Sequence, residues 1–421
     1  MENLFYKPPN AWSGDFIPFY DNGTFWIFYL HDTRKNGKQG LSIPWYLLST
    51  KDFVNFTNHG EVIQAGNKDE QDFNICTGSV IKTDGIYHSF YTGDNPSFPK
   101  KGKKLQAIMH AVSDNLLEWE KIPGDTFYSD ERIYEKDDWR DPFVFWNKEK
   151  GEFWMLLAAR IKEGPSHRRG CTALCTSIDL KNWKICEPFW APYIYYTHEC
   201  PDLFKIGKWW YLIFSTFSDQ MVTHYRMSKS LNGPWLSPAN DSFDTRAFYA
   251  AKTASDNKKR YIFGWNPTRD KGKDYSRWDW GGNLIVHVVV QNSDGTLSVK
   301  MPDTIKEAFK DELPTTFIPM IGKWEIQKNI ISSYPKDSFS CILSKDEMSP
   351  LCKISLNIKF EDEVKNFGII VRASNDLEET YYIRLNQTEV GLYLIRGQGR
   401  KYILIFLMLA IVHFGLAMKD H

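Results

Sequence analysis

Three acidic side chains draw attention by where they fall. Asp15, Asp141 and Glu199 each lie at or beside the start of a short apolar run, and the three runs resemble one another. Carboxylates gathered in one cleft are the working parts of a glycosidase. One attacks or activates water, and a second, its pKa raised by burial and like charge, protonates the leaving oxygen. A third can steady the positive charge that develops on the sugar ring. Any one of them alone reads as a carboxylate capping a strand; occurrence at corresponding points of successive repeats is what points to chemistry. The surroundings suit a sugar. The chain holds 16 Trp, 21 Tyr and 28 Phe, 15% of its residues, and aromatic faces match the apolar faces of sugar rings.

The elements that must position these groups are strands. Asp15–Gly23 precedes Thr24–Tyr29, Gly78–Gly85 precedes Ile86–Tyr91, Asp141–Trp146 precedes Glu152–Leu157, and Pro201–Gly207 precedes Lys208–Phe214. Each is a strand, a tight turn and a second strand, a β-hairpin. A second signature follows each hairpin: Ser49 to Phe56, Ser113 to Trp119, Ser177 to Trp183 and Ser228 to Trp235. Its ring residues, at 56, 119, 183 and 235, are spaced by 63, 64 and 52. A period of that length, made of four short strands, predicts a propeller blade, and roughly 300 residues at that period predict about five blades. The expected fold class is therefore all-β, a five-bladed β-propeller. The first strands of the blades begin at Asp15, Gly78-Ser79, Asp141 and Glu199-Cys200-Pro201, so three carboxylates are expected at one mouth.

The rest of the chain bounds the answer. At 421 residues it is long enough for a large domain and a smaller one. The expected division is a catalytic propeller over 1–300, a helical connector over 301–315, an incomplete β-sandwich over 316–400 and an apolar tail over 401–421. Lys+Arg and Asp+Glu are both 52, which argues against a nucleic-acid partner. Seven cysteines without a CxxC pair read as reduced thiols rather than a disulfide framework or a metal site. No GxGxxG or P-loop signature occurs, so neither metal nor organic cofactor is expected. The N-terminus lacks the pattern of a signal peptide, which predicts a cytoplasmic protein meeting small carbohydrates. Tyr402–Met418 is an apolar stretch of 17 residues that breaks from the alternation before it. A truncated or frame-shifted reading is expected there, with a membrane anchor or a packing helix as alternatives.

Particular motifs carry a resemblance. Trp139-Arg140-Asp141-Pro142, His198-Glu199-Cys200-Pro201, Thr77-Gly78-Ser79-Val80, Phe248-Tyr-Ala-Ala-Lys-Thr253 and Tyr261-Ile-Phe-Gly-Trp265 resemble, in order, motifs of glycoside hydrolase family 32, the invertases, levanases and inulinases. The resemblance covers about residues 10 to 300. It implies a five-bladed propeller followed by a sandwich, and a retaining β-fructofuranosidase acting on sucrose or small fructo-oligosaccharides. It implies that Asp15 is the nucleophile, Glu199 the acid/base and Asp141 the transition-state stabiliser. Arg140, Trp45, Ser79, Gln106 and Trp280 become candidates for sugar contact, and His198 for tuning Glu199. Two positions depart from the family: Gly14 stands where the family has Asn, and Leu30 where it has Gln. His31 or Asp32 is expected to replace the lost hydrogen bonds. Alternatives are an inverting arabinofuranosidase or xylosidase on the same architecture, a fructosyltransferase, and a non-catalytic sugar-binding propeller.

Overall fold

Asn22-Gly23 and Asp84-Gly85 set the first two hairpins, because both residues of each pair take positive φ (50° and 77°, 50° and 84°). That is the two-residue turn whose twist matches flanking antiparallel strands. The computed structural model describes residues 4–34, 40–244, 247–272 and 276–312, shorter runs between 315 and 396, and 413–415. The chain is all-β but for short helical turns and divides into two units, Met1–Ala308 and Phe309–His421.

In the first unit, strands follow one another as antiparallel meanders. They are β1 (Trp12–Asp21), β2 (Thr24–Asp32), β3 (Trp45–Thr50) and β4 (Thr57–Ile63); then β5 (Asn74–Thr83), β6 (Ile86–Asp94), β7 (Gln106–Ser113) and β8 (Glu120–Lys121). Next come β9 (Arg140–Asn147), β10 (Glu152–Arg160), β11 (Gly170–Ser177) and β12 (Lys184–Ile185), and then β13 (Glu199–Ile206), β14 (Trp209–Thr216) and β15 (Val222–Ser228). The last meander is β16 (Tyr249–Ser255), β17 (Arg260–Arg269), β18 (Trp278–Gln291) and β19 (Leu297–Lys300). β18 pairs with β1, Ser13 standing opposite Gly282, so the first and last meanders share one sheet. Helix α1 (Asp303–Ala308) ends the unit.

Apolar clusters form between consecutive meanders. One joins Phe28, Trp45 and Leu47 to Tyr91, Met109 and Ala111. Another joins Phe90 and Ile108 to Met155, Leu157 and Ala173. Large rings fill these spaces: Trp45, Trp139 and Trp265 are all but fully buried. This is where much of the high aromatic content goes.

The feature that positions the site is a β-bulge repeated in every first strand. In β1, Asp15 and Phe16 together oppose Tyr29; the same two-against-one break falls at Cys76-Thr77, Asp141-Pro142, Cys200-Pro201 and Ala250-Ala251. Such an insertion bends a strand and re-aims its side chains. Asp15, Asp141, Cys200 and Ala250 all have φ between 49° and 59°, an unfavourable region for residues with a Cβ. Two sequence alignments are corrected by this. The residue equivalent to Asp15 in the second meander is Cys76, not Gly78, which lies below the bulge. Glu199 stands one residue before its bulge, whereas Asp15 and Asp141 stand on theirs.

The ring signature also shifts by one in the first repeat. Thr50, Ser113 and Ser177 are the equivalent residues, each accepting from the backbone N–H three residues on (2.9, 2.9 and 3.0 Å).

Among its described residues the second unit holds three smaller sheets. β20 (Phe317–Ile321) pairs with β23 (Cys341–Ser344); β21 (Trp324–Gln327), β22 (Ile330–Ser333), β24 (Asn357–Lys359) and β28 (His413–Gly415) form a second; β25 (Phe367–Val371), β26 (Glu379–Leu385) and β27 (Val390–Arg396) form a third. Among the described residues of the run 351–360, Asn357–Lys359 is strand and 351–355 is not. The apolar tail lies outside the described residues except for β28, which pairs with β22 and β24. Among the described residues no helix is long and apolar enough to cross a membrane.

Candidate active site

The bulges bring Asp15, Asp141, Arg140 and Glu199 together. The Thr77 hydroxyl donates to Asp15 Oδ2 at 2.6 Å, and the Trp265 indole N–H donates to Asp15 Oδ1 at 3.0 Å. Asp15 as a whole residue is partly exposed. Burial pushes its pKa up to about 7; the Thr77 hydrogen bond opposes this, and the charge of Asp141 adds to it.

Asp141 is buried, 4% exposed. Its own N–H donates to the Thr92 hydroxyl at 2.8 Å, and its Oδ2 accepts from the Cys200 N–H at 3.0 Å. The backbone of the Glu199 strand therefore grips Asp141 directly. Cys200 Sγ lies 3.7 Å from that same oxygen and 3.8 Å from the Thr77 hydroxyl, so the Asp15 and Asp141 supports meet at this thiol.

Glu199 is held by both its oxygens. Arg140 Nη2 donates to Oε1 at 2.9 Å, and the Tyr249 hydroxyl donates to Oε2 in a short hydrogen bond. Its pKa is raised, first by burial; the Arg140 charge works against this and the Asp141 charge with it. Arg140 is anchored in turn by Asp138. One guanidinium thus links the third meander to the fourth, and offers planar, fixed donors beside the acid.

The other expected sugar contacts divide. Trp280 lines this region. A Cβ built on Gly14 would lie 2.8 Å from its ring atom Cζ2, so the indole fills the space a side chain at position 14 would need. Gln106 supports the site from behind, donating to Asp94 Oδ1 (3.3 Å) and accepting from the Trp139 N–H (3.2 Å). Trp45 is a correction: it is 0% exposed, its N–H donates to the Cys76 carbonyl at 3.0 Å, and it has no face left for a sugar. Ser79 is another. It lies below the bulge, accepts from the Val144 N–H at 3.0 Å and lines a separate cavity of about 190 Å³ with Phe143, Asp202 and Lys252. Asp32 does not replace the missing hydrogen bonds either. It is 1% exposed, and its oxygens accept from the N–H groups of Arg34 (2.7 Å) and Gly40 (3.0 Å). His31 stacks flat on Tyr46, with centroids 3.9 Å apart. His198 points away from Glu199 into a packed nest of Trp190, Tyr195 and Phe214, where burial lowers its pKa to about 3.

Thr77, Trp265 and Tyr249 hold the carboxylates, yet none stood out in the sequence. Each lies inside a quoted motif, and that membership was the available signal. Among the described residues no group of His, Cys, Asp and Glu is arranged to hold a metal ion.

Two carboxyls with raised pKa values, a third carboxylate and aromatic walls make up the equipment of a glycoside hydrolase. The model of the glycosyl hydrolases family 32 N-terminal domain matches residues 5–300, and the chain belongs to that family. It is an enzyme of the glycoside hydrolase class. It is similar to a sucrose-6-phosphate hydrolase of Vibrio alginolyticus, 25% identical over 398 residues, 88% of this chain and 74% of the relative. A levanbiose-producing levanase of Bacillus subtilis is 24% identical over 334 residues, 70% of this chain and 59% of that enzyme. Among solved structures, fructan 1-exohydrolase IIa from Cichorium intybus superposes with a TM-score of 0.64 at 18% identity, over 97% of this chain and 84% of that one. The sucrose-6-phosphate hydrolase from Lactobacillus gasseri gives 0.65, also at 18%, over 98% and 82%. These likenesses concern the fold.

Proposed function

We propose that the chain is a retaining β-fructofuranosidase built on a five-bladed propeller with a following sandwich, acting on sucrose or small fructo-oligosaccharides. The observation that carries this reading is the convergence of Asp15, Asp141 and Glu199, from three different meanders, onto one hydrogen-bonded cluster. Membership of family 32 and the invertase and levanase relatives support the substrate class.

In this mechanism the Asp15 carboxylate attacks the anomeric carbon. Thr77 and Trp265 fix its two oxygens, so little reorientation is needed at the moment of attack. Glu199, its proton favoured by burial, gives that proton to the departing glycosidic oxygen. A glycosyl ester forms on Asp15 and the C–O bond to the leaving group breaks. Glu199, now charged and steadied by Arg140 and Tyr249, then takes a proton from water, which releases the sugar and restores Asp15. Asp141, buried beside the reacting centre, holds ring hydroxyls and offsets the oxocarbenium charge.

The deciding experiment is to incubate the protein with sucrose, 1-kestose, inulin, levan and an aryl arabinoside, and to identify the released sugar and its first-formed anomer. Fructose released with retained configuration is the expected result. Release of arabinose alone, or inversion, overturns the reading.

A further inference from the structure

Arg140 is one cation among three carboxylates. Its Nη2 donates to Glu199 Oε1 at 2.9 Å, its Nε lies 3.8 Å from Asp141 Oδ2, and its Nη1 donates to Asp138 Oδ1 in a short hydrogen bond. The scheme above gives Glu199 and Asp141 their parts and leaves Asp138 without one. Asp138 also faces a second guanidinium, with Arg160 Nε of β10 at 3.6 Å from its Oδ2. Arg160 is buried and fixed: it donates to the Tyr196 and Ser166 carbonyls, each at 2.6 Å, and pairs with Glu135 at 2.7 Å. Glu135 pairs in turn with half-buried Arg169 at 2.9 Å. Alternating charges thus run from Arg169 to Glu199, and Asp138 is the link between the two inner guanidiniums.

The charges around Glu199 decide how readily it gives up its proton. The Asp138 and Asp141 carboxylates together outweigh the single charge of Arg140, so an ionised Glu199 would add to a cluster that is already negative. Without Asp138, Arg140 and Asp141 cancel, and the pairing of Arg140 with Glu199 favours the ionised form. Also facing Glu199 are the Tyr249 hydroxyl of β16, the Asp15 carboxyl of β1 and the adjoining Cys200 thiol, none of them a cation. Asp94 of β6 lies in the field of Arg140 as well, and burial raises its pKa.

We propose that Asp138 is a positioning residue that keeps Glu199 in its proton-donating form, by fixing the Arg140 guanidinium and offsetting its charge. The inference rests on the assignment of Glu199 as acid/base.

The test is the pH profile of kcat/KM in the full chain with two substrates: sucrose, whose leaving group needs a proton, and β-D-fructofuranosyl fluoride, whose leaving group needs none. Asp138→Asn removes the charge but keeps an oxygen for Arg140, and Asn suits the φ of 59° at this position. Glu199 then ionises about one pH unit lower, so kcat/KM for sucrose falls about tenfold against wild type on the alkaline side of the profile. On the acid side, where Glu199 is protonated in both proteins, the ratio of variant to wild type stays level. On the fluoride that ratio is the same at every pH, and measurable turnover there shows that the variant is folded. Asp138→Glu, which keeps the charge, gives a ratio independent of pH on sucrose too. The role is overturned by a sucrose ratio in Asp138→Asn that does not vary with pH, by one that varies equally on the fluoride or in Asp138→Glu, or by a variant inactive on both substrates throughout, since position alone would then be what Asp138 supplies. Wild-type protein that cleaves neither substrate overturns the fructosidase reading and this role with it. Wild-type protein that cleaves both, beside a variant of constant ratio, overturns the role alone.

Discussion

Asp15 carries a thermodynamic signature as well as a chemical one. Burial pushes its carboxyl pKa up to about 7 in the fold, from an ordinary value of 3.8. A raised folded pKa means its contribution to stability is complete below about pH 3.8 and is lost as pH rises through 7. Asp15→Asn removes that loss while Thr77 and Trp265 retain a partner. The variant is expected to be inactive yet more stable by about 2 kcal/mol at pH 8, with the gain vanishing near pH 4. Urea unfolding at both pH values measures it, and a variant less stable than wild type at pH 8 would contradict the burial argument. Glu199→Gln is expected to be severely slowed on sucrose but much less so on β-D-fructofuranosyl fluoride, whose leaving group needs no proton; equal impairment on both would remove the acid/base role. Asp141→Asn is expected to lower kcat more than it raises KM, as steady-state kinetics would show. Asp141 and Glu199 were legible in short motifs of their own, and Asp15 in its place at the start of the first repeat. Their partners were not, since Thr77, Trp265 and Tyr249 reach them across 62, 250 and 50 residues of sequence. Only the closed fold shows which ring or hydroxyl of a motif ends up on which oxygen.

Among the elements, the hairpins and the turn after each of them were read directly, because Asn-Gly, Asp-Gly and Ser-x-Asp have local reasons for their shapes. Asp179 shows the reason: its Oδ1 accepts from the N–H groups of Lys181 and Asn182 at 3.0 and 2.8 Å. Asp179→Ala is expected to cost about 1 kcal/mol in chemical denaturation, with activity unchanged. These hydrogen bonds hold the Asp179 pKa below its ordinary value, so that contribution is present above about pH 4 and lost as pH falls further. The bulges were not legible, because an extra residue in a strand leaves no mark in an alternating pattern until its partner strand is known. At Cys200-Pro201 the bulge brings in a proline, which has no N–H, and the Pro201 carbonyl is met by the buried Lys252 ammonium at 3.1 Å.

For the whole molecule, the repeat period was visible but the joint between first and last meanders was not. It rests on Ser13 opposite Gly282, with the Ser13 hydroxyl donating to the Gly282 carbonyl at 2.8 Å. A Cβ on Gly282 would come within 1.5 Å of the Asn266 carbonyl oxygen, a backbone atom that cannot swing aside. Gly282→Ala is therefore expected to destabilise the protein by about 3 kcal/mol or more and to reduce soluble yield, as thermal unfolding would show. Gly23→Ala, at an open hairpin turn with nothing near the new Cβ, is expected to lose only about 1 kcal/mol, so a similar loss in both variants would mean the joint contributes little.

The contact between Gly14 and Trp280 also constrains how this protein can change. A larger residue at 14 collides with the indole, and a smaller one at 280 leaves a hole against Gly14 and the neighbouring Trp265. Each single step is harmful, while the paired change removes both faults. The two positions should therefore vary together in descendants of this chain, and any route to an asparagine at 14 passes first through a smaller side chain at 280.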